Sequence, residues 1–341
     1  MAVDYDLVVI GSSQEGIYAA AVAARLQARV ALVTQNLEED YNLSELIFCH
    51  SLTQIAGWAK DRQNNPFAIA LPPTKLEFAE IEEARNWSKE VNFTLTELNS
   101  LNNLATLGVD VVYGKGEFCR LPQQAVIVGK RKLRSRSYLI ATGSYLAHES
   151  SINIEHGSYL TLKEIYQQED LASLPTQLAI VGDSPNSLIL AQSLARLGKQ
   201  VILITEKKRL LPYEDLEVVR LIQAQLEADG VKILTDLPLT QSKNLGDKKW
   251  LQVGDRAIET DEIILMGKRK PNTLGLNLSG VGVNFQLDRL IVNAKLQTSN
   301  PKIYACGDVL NGYFLPHIAR YEANIALRNA LFLPWFKTKY N

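Results

Sequence analysis

Residues 5–34, YDLVVIGSSQEGIYAAAVAARLQARVALVT, decide the architecture. Asp6 to Ile10 reads as a strand whose continuous apolar run suits burial on both faces, and Gly11 ends it. Gln14 to Gln27 is rich in alanine, the strongest helix former, with a turn-sized apolar repeat, and reads as a helix. Val30 to Val33 supplies the next strand. A helix joining two parallel strands over this length is a βαβ unit; it crosses over right-handed and leaves its N-terminus pointing at the strand ends.

The same pattern returns downstream. Gln177 to Val181 is a strand, Gly182 ends it, Pro185 to Leu197 is a helix and Gln200 to Ile204 is a strand. A shift of 171 residues lays Gly11 on Gly182, Ser13 on Ser184, Val30 on Val201 and Thr34 on Thr205 without a gap. This reads as a duplicated domain; the alternative is a chance match between two of the several βαβ units that any α/β chain contains. Between the units, Asn42 to Asn103 is mostly helical, with interruptions at Pro66 and at Pro72 and Pro73. Short alternating runs from Gly108 to Ser144 point to a small antiparallel sheet. Strands follow at Val231–Leu234, Trp250–Val253 and Glu262–Met266, and the tail from Ile303 to Phe332 reads as strand, loop and one amphipathic helix.

Composition narrows the function. With 341 residues, 46% hydrophobic and 21% charged, the chain can bury two cores. A net charge of −1 and the lack of a basic stripe argue against nucleic acid as a partner. The apolar run Leu7–Ile10 is far too short for a signal peptide or membrane span, so a cytoplasmic protein without a membrane span is expected. Cys49, Cys119 and Cys306 lie far apart with no C-x-x-C pair, and the four histidines have no ligand spacing; neither a disulfide scaffold nor a metal site is indicated.

The chemistry of the two turns then matters. A nucleotide-binding βαβ unit needs glycine where the strand turns, where backbone nears the pyrophosphate and where helix packs on strand. The helix N-terminus supplies free N–H groups and partial positive charge for the phosphates. In GSSQEG the first and third glycines stand as Gly11 and Gly16, and Ser13 holds the middle place. In GDSPNS only Gly182 stands, with Ser184 and Ser187 at the other places, so the second site is weaker. The acid that would accept both ribose hydroxyls is replaced by Thr34 and Thr205, a change that costs on the order of 1–2 kcal/mol of binding, about tenfold in affinity. Glu206 sits one place late, either as a substitute or as a solvated turn carboxylate. Lys207, Lys208 and Arg209 form either a clamp for a 2′-phosphate or a solvated charge run. Two strand-end segments strengthen the first site: Ala141-Thr142-Gly143-Ser144, and Tyr304-Ala305-Cys306-Gly307-Asp308, whose carboxylate suits a sugar-alcohol hydroxyl.

The ordered set GSSQEG, ATGS, VGDSPNS, GKRKPNT and YACGDV, with the tail FLPHIARYEANIA, resembles the pyridine nucleotide-disulfide oxidoreductases of the glutathione, mercuric and lipoamide reductase group over nearly the whole chain. The resemblance implies an α/β fold of two Rossmann-like FAD/NAD(P)-binding domains of the three-layer ββα type, the second inserted in the first. Residues 1–148 and 270–341 would bind FAD, and 149–269 would form the NAD(P)-binding-type domain. Gly11, Ser13 and Gly16 would face the FAD pyrophosphate, Thr142 and Gly143 would line the flavin side, and Asp308 would bind the ribityl chain. NAD(P)H would lie in the inserted domain, at the turn of Gly182, Ser184 and Ser187, and NADPH is preferred if Lys207 and Arg209 form the clamp.

The departures from that family set the expected chemistry. Its redox disulfide falls on Ser44 and Cys49, so the dithiol relay is missing; Cys49 is either a flavin-contacting catalytic thiol or a small buried hydrophobe. The lysine that follows the pair falls on Thr53, and the glutamate beside the nicotinamide falls on Ile189. His50 is a poor activator for Cys49, and His317 is either near the flavin or at a helix cap. Family members continue beyond the equivalent of Asn341 into an interface domain with the catalytic histidine, so the proton relay and dimer contact are expected to be missing. Two functions stay open: an FAD-dependent NAD(P)H oxidoreductase that passes electrons to a small-molecule or protein acceptor, and a non-catalytic nucleotide-binding protein serving regulation or assembly.

Overall fold

The computed structural model describes residues 3–35, 41–64, 73–98, 100–120, 122–146, 153–154, 157–167, 174–267, 269–286, 289–332 and 338–340. The elements that carry the two parallel sheets run β1 (Tyr5–Ile10), α1 (Gln14–Arg25), β2 (Val30–Thr34), α2 (Tyr41–Asn64), α3 (Pro73–Leu98), β3 (Asp110–Tyr113), β4 (Ser135–Ile140), β5 (Leu160–Thr161), β6 (Gln177–Val181), α4 (Pro185–Arg196), β7 (Gln200–Ile204), α5 (Leu216–Ala228), β8 (Lys232–Leu234), β9 (Glu262–Leu265), β10 (Ile303–Ala305) and α6 (Pro316–Leu331). They belong to two compact units: Met1–Asp40 with Thr94–Ala147 and Arg269–Asn341, and Tyr41–Phe93 with His148–Lys268.

In the first unit five parallel strands lie in the order β10-β4-β1-β2-β3. Central β1 pairs Leu7 with Val30 on one side and with Ser137 on the other, which is why its sequence is apolar on both faces. On one face Ala19, Ala20, Ala23 and Ala24 of α1 share a core with Leu7, Val9 and Leu139 and with Ala323 and Ala326 of α6. On the other, Val8, Ile10, Val33 and Ile140 lie under a three-stranded antiparallel sheet (Gly116–Cys119, Ala125–Val128, Arg131–Leu133), where Phe118 meets Tyr138 edge-on at 5.4 Å. These are the three layers that the resemblance implied.

The second unit repeats the plan with parallel order β5-β9-β6-β7-β8. Helices α1 and α4 are both 12 residues long and begin after Ser13 and Ser184, as the 171-residue shift requires. Ala179, Ile204 and Ile263 pack beneath a four-stranded sheet that includes Leu239–Leu245, Lys248–Val253 and Arg256–Thr260. The first and last of these strands escaped the sequence reading because LTQSKNL and RAIET carry too few apolar residues to show an alternation.

The helical segment falls differently from the expected domain division. Residues 41–93, assigned by sequence to the first domain, cluster with the second unit. The cause is the stripe Phe48, Leu52, Ala56 and Ala59 on α2, which is buried with Leu188, Ala191 and Leu194 of α4. Lys60 of α2 also pairs with Asp229, which caps α5 and accepts from Arg196 Nη2 at 2.8 Å and Gln192 Nε2 at 2.7 Å of α4. Burial pushes Asp229 up, but the bonds from Lys60, Arg196, Gln192 and Gln225 outweigh it and hold the carboxyl at about 2. The expected boundary after residue 148, and Pro66 and Pro72, lie outside the described residues. No described helix is long and apolar enough to cross a membrane.

Candidate functional site

The first glycine turn is built by backbone contact. Gly11 has φ +108°, a left-handed conformation, and a Cβ there would fall 2.2 Å from Ala141 O. The Ala141 N–H donates to Ile10 O at 2.8 Å, so the ends of β1 and β4 are pressed together under the turn. Ser13 caps α1: its Oγ accepts from Gly16 N at 3.3 Å and donates to Ala141 O at 2.7 Å. Thr34 is fully buried at the end of β2, and its hydroxyl donates to Ser12 Oγ at 2.7 Å; it braces the turn instead of presenting an acceptor for a ribose.

Beside this turn the ends of β4 and β10 bring the other expected residues together. Thr142 Oγ1 is buried and finds no hydrogen-bond partner among the described residues. Gly143 is buried and accepts from Asn272 N at 3.0 Å. Ser144 Oγ donates to Asp308 Oδ2 at 3.2 Å and accepts from Arg269 Nε at 2.8 Å, and Arg269 also donates to Ser144 O at 3.1 Å. Asp308 is thus held by a relay from a guanidinium. Burial raises its pKa, against the opposing pull of Arg269 and Ser144.

The sequence reading passed over three acidic or thiol groups that crowd the same place. Glu15 is 7% exposed, and a methyl on Gly307 would lie 2.2 Å from its Oε1. Glu322 of α6 is buried and accepts from Gly307 N at 2.7 Å. Burial raises its pKa against the bonds from Gly307 and Tyr340. Cys306, fully buried, has its thiol pushed well above the usual range, first by desolvation and then by Glu15 and Glu322. The signal was present: an acid inside a glycine motif whose helix should receive a phosphate is a charge of the wrong sign.

The second turn is closed by hydroxyls. Ser184 caps α4, accepting from Ser187 N at 3.2 Å, and the two hydroxyls lie 2.8 Å apart. Ser187 has no exposure, and its Oγ would lie 2.9 Å from a Cβ on Gly182. Thr205 is buried and accepts from Lys207 N at 3.1 Å. Asn186 Oδ1 is buried without a hydrogen-bond partner among the described residues. Lys207 pairs with Glu206 at 3.0 Å, and Arg209 donates to the carbonyls of Pro212 at 2.5 Å and Glu214 at 3.2 Å. Arg209 thus braces its own loop, and Lys207 and exposed Lys208 stand beside it in the same stretch.

Cys49 takes the apolar role. It is 2% exposed in the core that α2 shares with α4, and burial, with Glu45 adding to it, pushes the thiol up to about 12. A thiol so placed is protonated at neutral pH and is a poor nucleophile. Thr53 Oγ1 lies 3.3 Å from Ser193 Oγ and Ile189 packs at the edge of the same core, so hydroxyl and apolar contacts stand where the resemblance expects a lysine and a glutamate. His50 and His317 are exposed. Among the described residues no group of His, Cys, Asp or Glu could hold a metal ion.

Comparison with known proteins agrees with this build. The family model for pyridine nucleotide-disulphide oxidoreductase matches residues 5–323. The chain is 29% identical over 339 residues to a mercuric reductase of Staphylococcus aureus, covering 96% of this chain and 60% of that one. It is 30% identical over 334 residues to a dihydrolipoyl dehydrogenase of Bacillus subtilis (strain 168), covering 95% and 71%. It spans 52% of the length of a mercuric reductase of Bacillus cereus. Among solved structures, LpdA from Mycobacterium tuberculosis superposes with TM-score 0.76 at 20% identity, over 98% of this chain and 74% of that one. The flavoprotein disulfide reductase RclA from Escherichia coli gives 0.75 at 22% identity, over 98% and 72%.

Proposed function

This chain belongs to the pyridine nucleotide-disulphide oxidoreductase family, and on that premise we propose that it is an FAD-dependent oxidoreductase in which NAD(P)H is the reductant and an external small molecule or protein is the acceptor, with no protein dithiol between them. The observation that carries flavin binding is Thr142 Oγ1, a buried hydroxyl with no hydrogen-bond partner among the described residues, at the strand end that also carries Gly143 and Ser144. Stable folds satisfy their buried polar atoms, so a ligand group is the partner this position calls for.

Bound FAD would supply hydride acceptance and electron release. The chain's own residues would hold and orient it. The tight turn at Gly11 and the α1 N-terminus, capped by Ser13, would receive the pyrophosphate. Asp308, fixed through Ser144 by Arg269, would accept from a ribityl hydroxyl. In the second unit Asn186 and the α4 N-terminus would receive the nicotinamide nucleotide, with Lys207 and Lys208 favouring a 2′-phosphate and hence NADPH. Ser44 in place of a first redox cysteine, and a protonated Cys49, leave acceptor reduction to the flavin itself.

One observation favours the second reading, a non-catalytic nucleotide-binding protein. Glu15 places a carboxylate at the first turn of α1, where an incoming diphosphate needs positive potential. Titration of the purified protein with FAD and with FMN, followed by flavin fluorescence, separates the two readings. We expect saturable FAD binding, weaker FMN binding, and a loss of about tenfold in Asp308→Ala. No binding of either flavin moves the assignment to the non-catalytic protein.

A further inference from the structure

Three features near Gly307 belong together. Glu15 is the second residue of α1, where a carboxylate is favoured by the helix dipole, yet it is buried and not splayed into solvent. Its side chain lies along the backbone of the loop after β10: a methyl on Gly307 would meet Glu15 Oε1 at 2.2 Å, Cδ at 2.6 Å and Cγ at 2.8 Å. Gly307 is free to accept this only because it has no Cβ, and its φ of +76° suits glycine as well. The N–H of Gly307, a donor that this loop could offer a ligand, is already given to Glu322 at 2.7 Å. An extended dinucleotide held between the α1 turn and Asp308 has to pass the position that Glu15 covers.

We infer that the Glu15 side chain occupies the pyrophosphate subsite of the first glycine turn, so that FAD must displace it to bind and the affinity for FAD is set by this residue. The inference rests on the FAD reading above and specifies what limits it. A carboxyl group in the first turn of a helix lies in the same dipole field that a phosphate would use. The charges around it add to the penalty: Asp308 and Glu322 are acidic, and the cation tied to this group, Arg269, is committed to Ser144. The residue therefore acts against diphosphates and has little effect on an uncharged isoalloxazine.

The experiment is equilibrium binding of FAD and of riboflavin, which carries no phosphate, to the wild-type chain and to Glu15→Gln and Glu15→Ala, with thermal melting to confirm folding. Gln keeps the shape and removes the charge; Ala removes both and is a strong helix former. We expect FAD to bind at least tenfold tighter in both variants, with riboflavin unchanged. Wild-type FAD binding that is unaltered or weakened in both variants overturns the inference and leaves the FAD reading standing. A parallel gain for riboflavin also overturns it, since a wider pocket and not a lost charge would then be responsible. Failure of all three proteins to bind FAD overturns the FAD reading itself.

Discussion

The two glycine turns share four parallel strands in one order, β4-β1-β2-β3 and β9-β6-β7-β8, and a helix of 12 residues, and they close differently. In the first, backbone meets backbone: a side chain on Gly11 would strike Ala141 O at 2.2 Å. In the second, the obstacles to a side chain on Gly182 are the Met266 Cβ at 2.8 Å and the Ser187 hydroxyl at 2.9 Å. The buried acids divide in the same way. Glu322 and Asp308 have raised pKa values because burial outweighs their partners, whereas Asp229 is gathered by four donors and lowered to about 2. The first turn keeps its geometry and gathers buried carboxyl groups; the second has relaxed its geometry, and the charges around α4 hold helices together. Duplicated folds diverge by such reassignment of polar groups while the apolar pattern keeps the architecture.

The largest effect should come from the turns themselves. Gly11→Ala should destabilise by about 3–5 kcal/mol, since it adds both strain and a backbone clash. Gly182→Ala should cost less, about 2–3 kcal/mol: the Ser187 hydroxyl can rotate away, while the Met266 Cβ has to move with its backbone and the φ of +154° adds strain. Urea unfolding decides, and equal losses would break the contrast.

Next comes Asp229. Its folded pKa of about 2 lies below its usual 3.8, so its contribution is fully present above 3.8 and is lost as pH falls through about 2. Asp229→Asn should cost about 2–4 kcal/mol at pH 7 and progressively less in acid. A cost that does not shrink with falling pH would show that packing, not charge, holds α2, α4 and α5 together.

Glu322 should behave in the opposite sense. A carboxyl raised in the folded state supports stability below its ordinary pKa and loses that support as pH rises through the raised value. Glu322→Gln keeps an acceptor for Gly307 N and should gain on the order of 1 kcal/mol at pH 8, with no gain at pH 4. Thermal melting at the two pH values measures this; a gain at pH 4 of the same size would contradict it.

The smallest effect separates the cations of the second turn. Lys207→Ala should weaken NADPH roughly threefold relative to NADH. Arg209→Ala should lower the melting temperature through its lost carbonyl bonds and leave the NADPH to NADH ratio unchanged. The reverse pattern would restore Arg209 to the clamp.

The parallel sheets were legible because strands buried on both faces read as unbroken apolar runs, and LVVI and QLAIV did so. The antiparallel strands Leu239–Leu245 and Arg256–Thr260 were not, since their exposed residues hide any alternation. The allegiance of α2 was also hidden. Its apolar stripe states that it packs on something, and only the fold shows that Leu188 and Leu194 are what it packs on. For the site, Gly11, Thr142 and Asp308 follow from motif spacing, whereas Arg269 and Glu322 act through distances of 125 and 15 residues along the chain that no local pattern encodes.

The central claim is that this chain holds a flavin that a nicotinamide nucleotide reduces and that no protein dithiol shares its electrons. Anaerobic titration of the FAD-loaded protein with NADPH, followed by the flavin's visible absorbance, tests it most directly. The account predicts complete bleaching at one equivalent of NADPH, faster than with NADH, and the same stoichiometry in Cys49→Ser. Uptake of a second equivalent that disappears in Cys49→Ser would contradict the missing relay, and an absorbance left unbleached by either nucleotide would contradict the oxidoreductase.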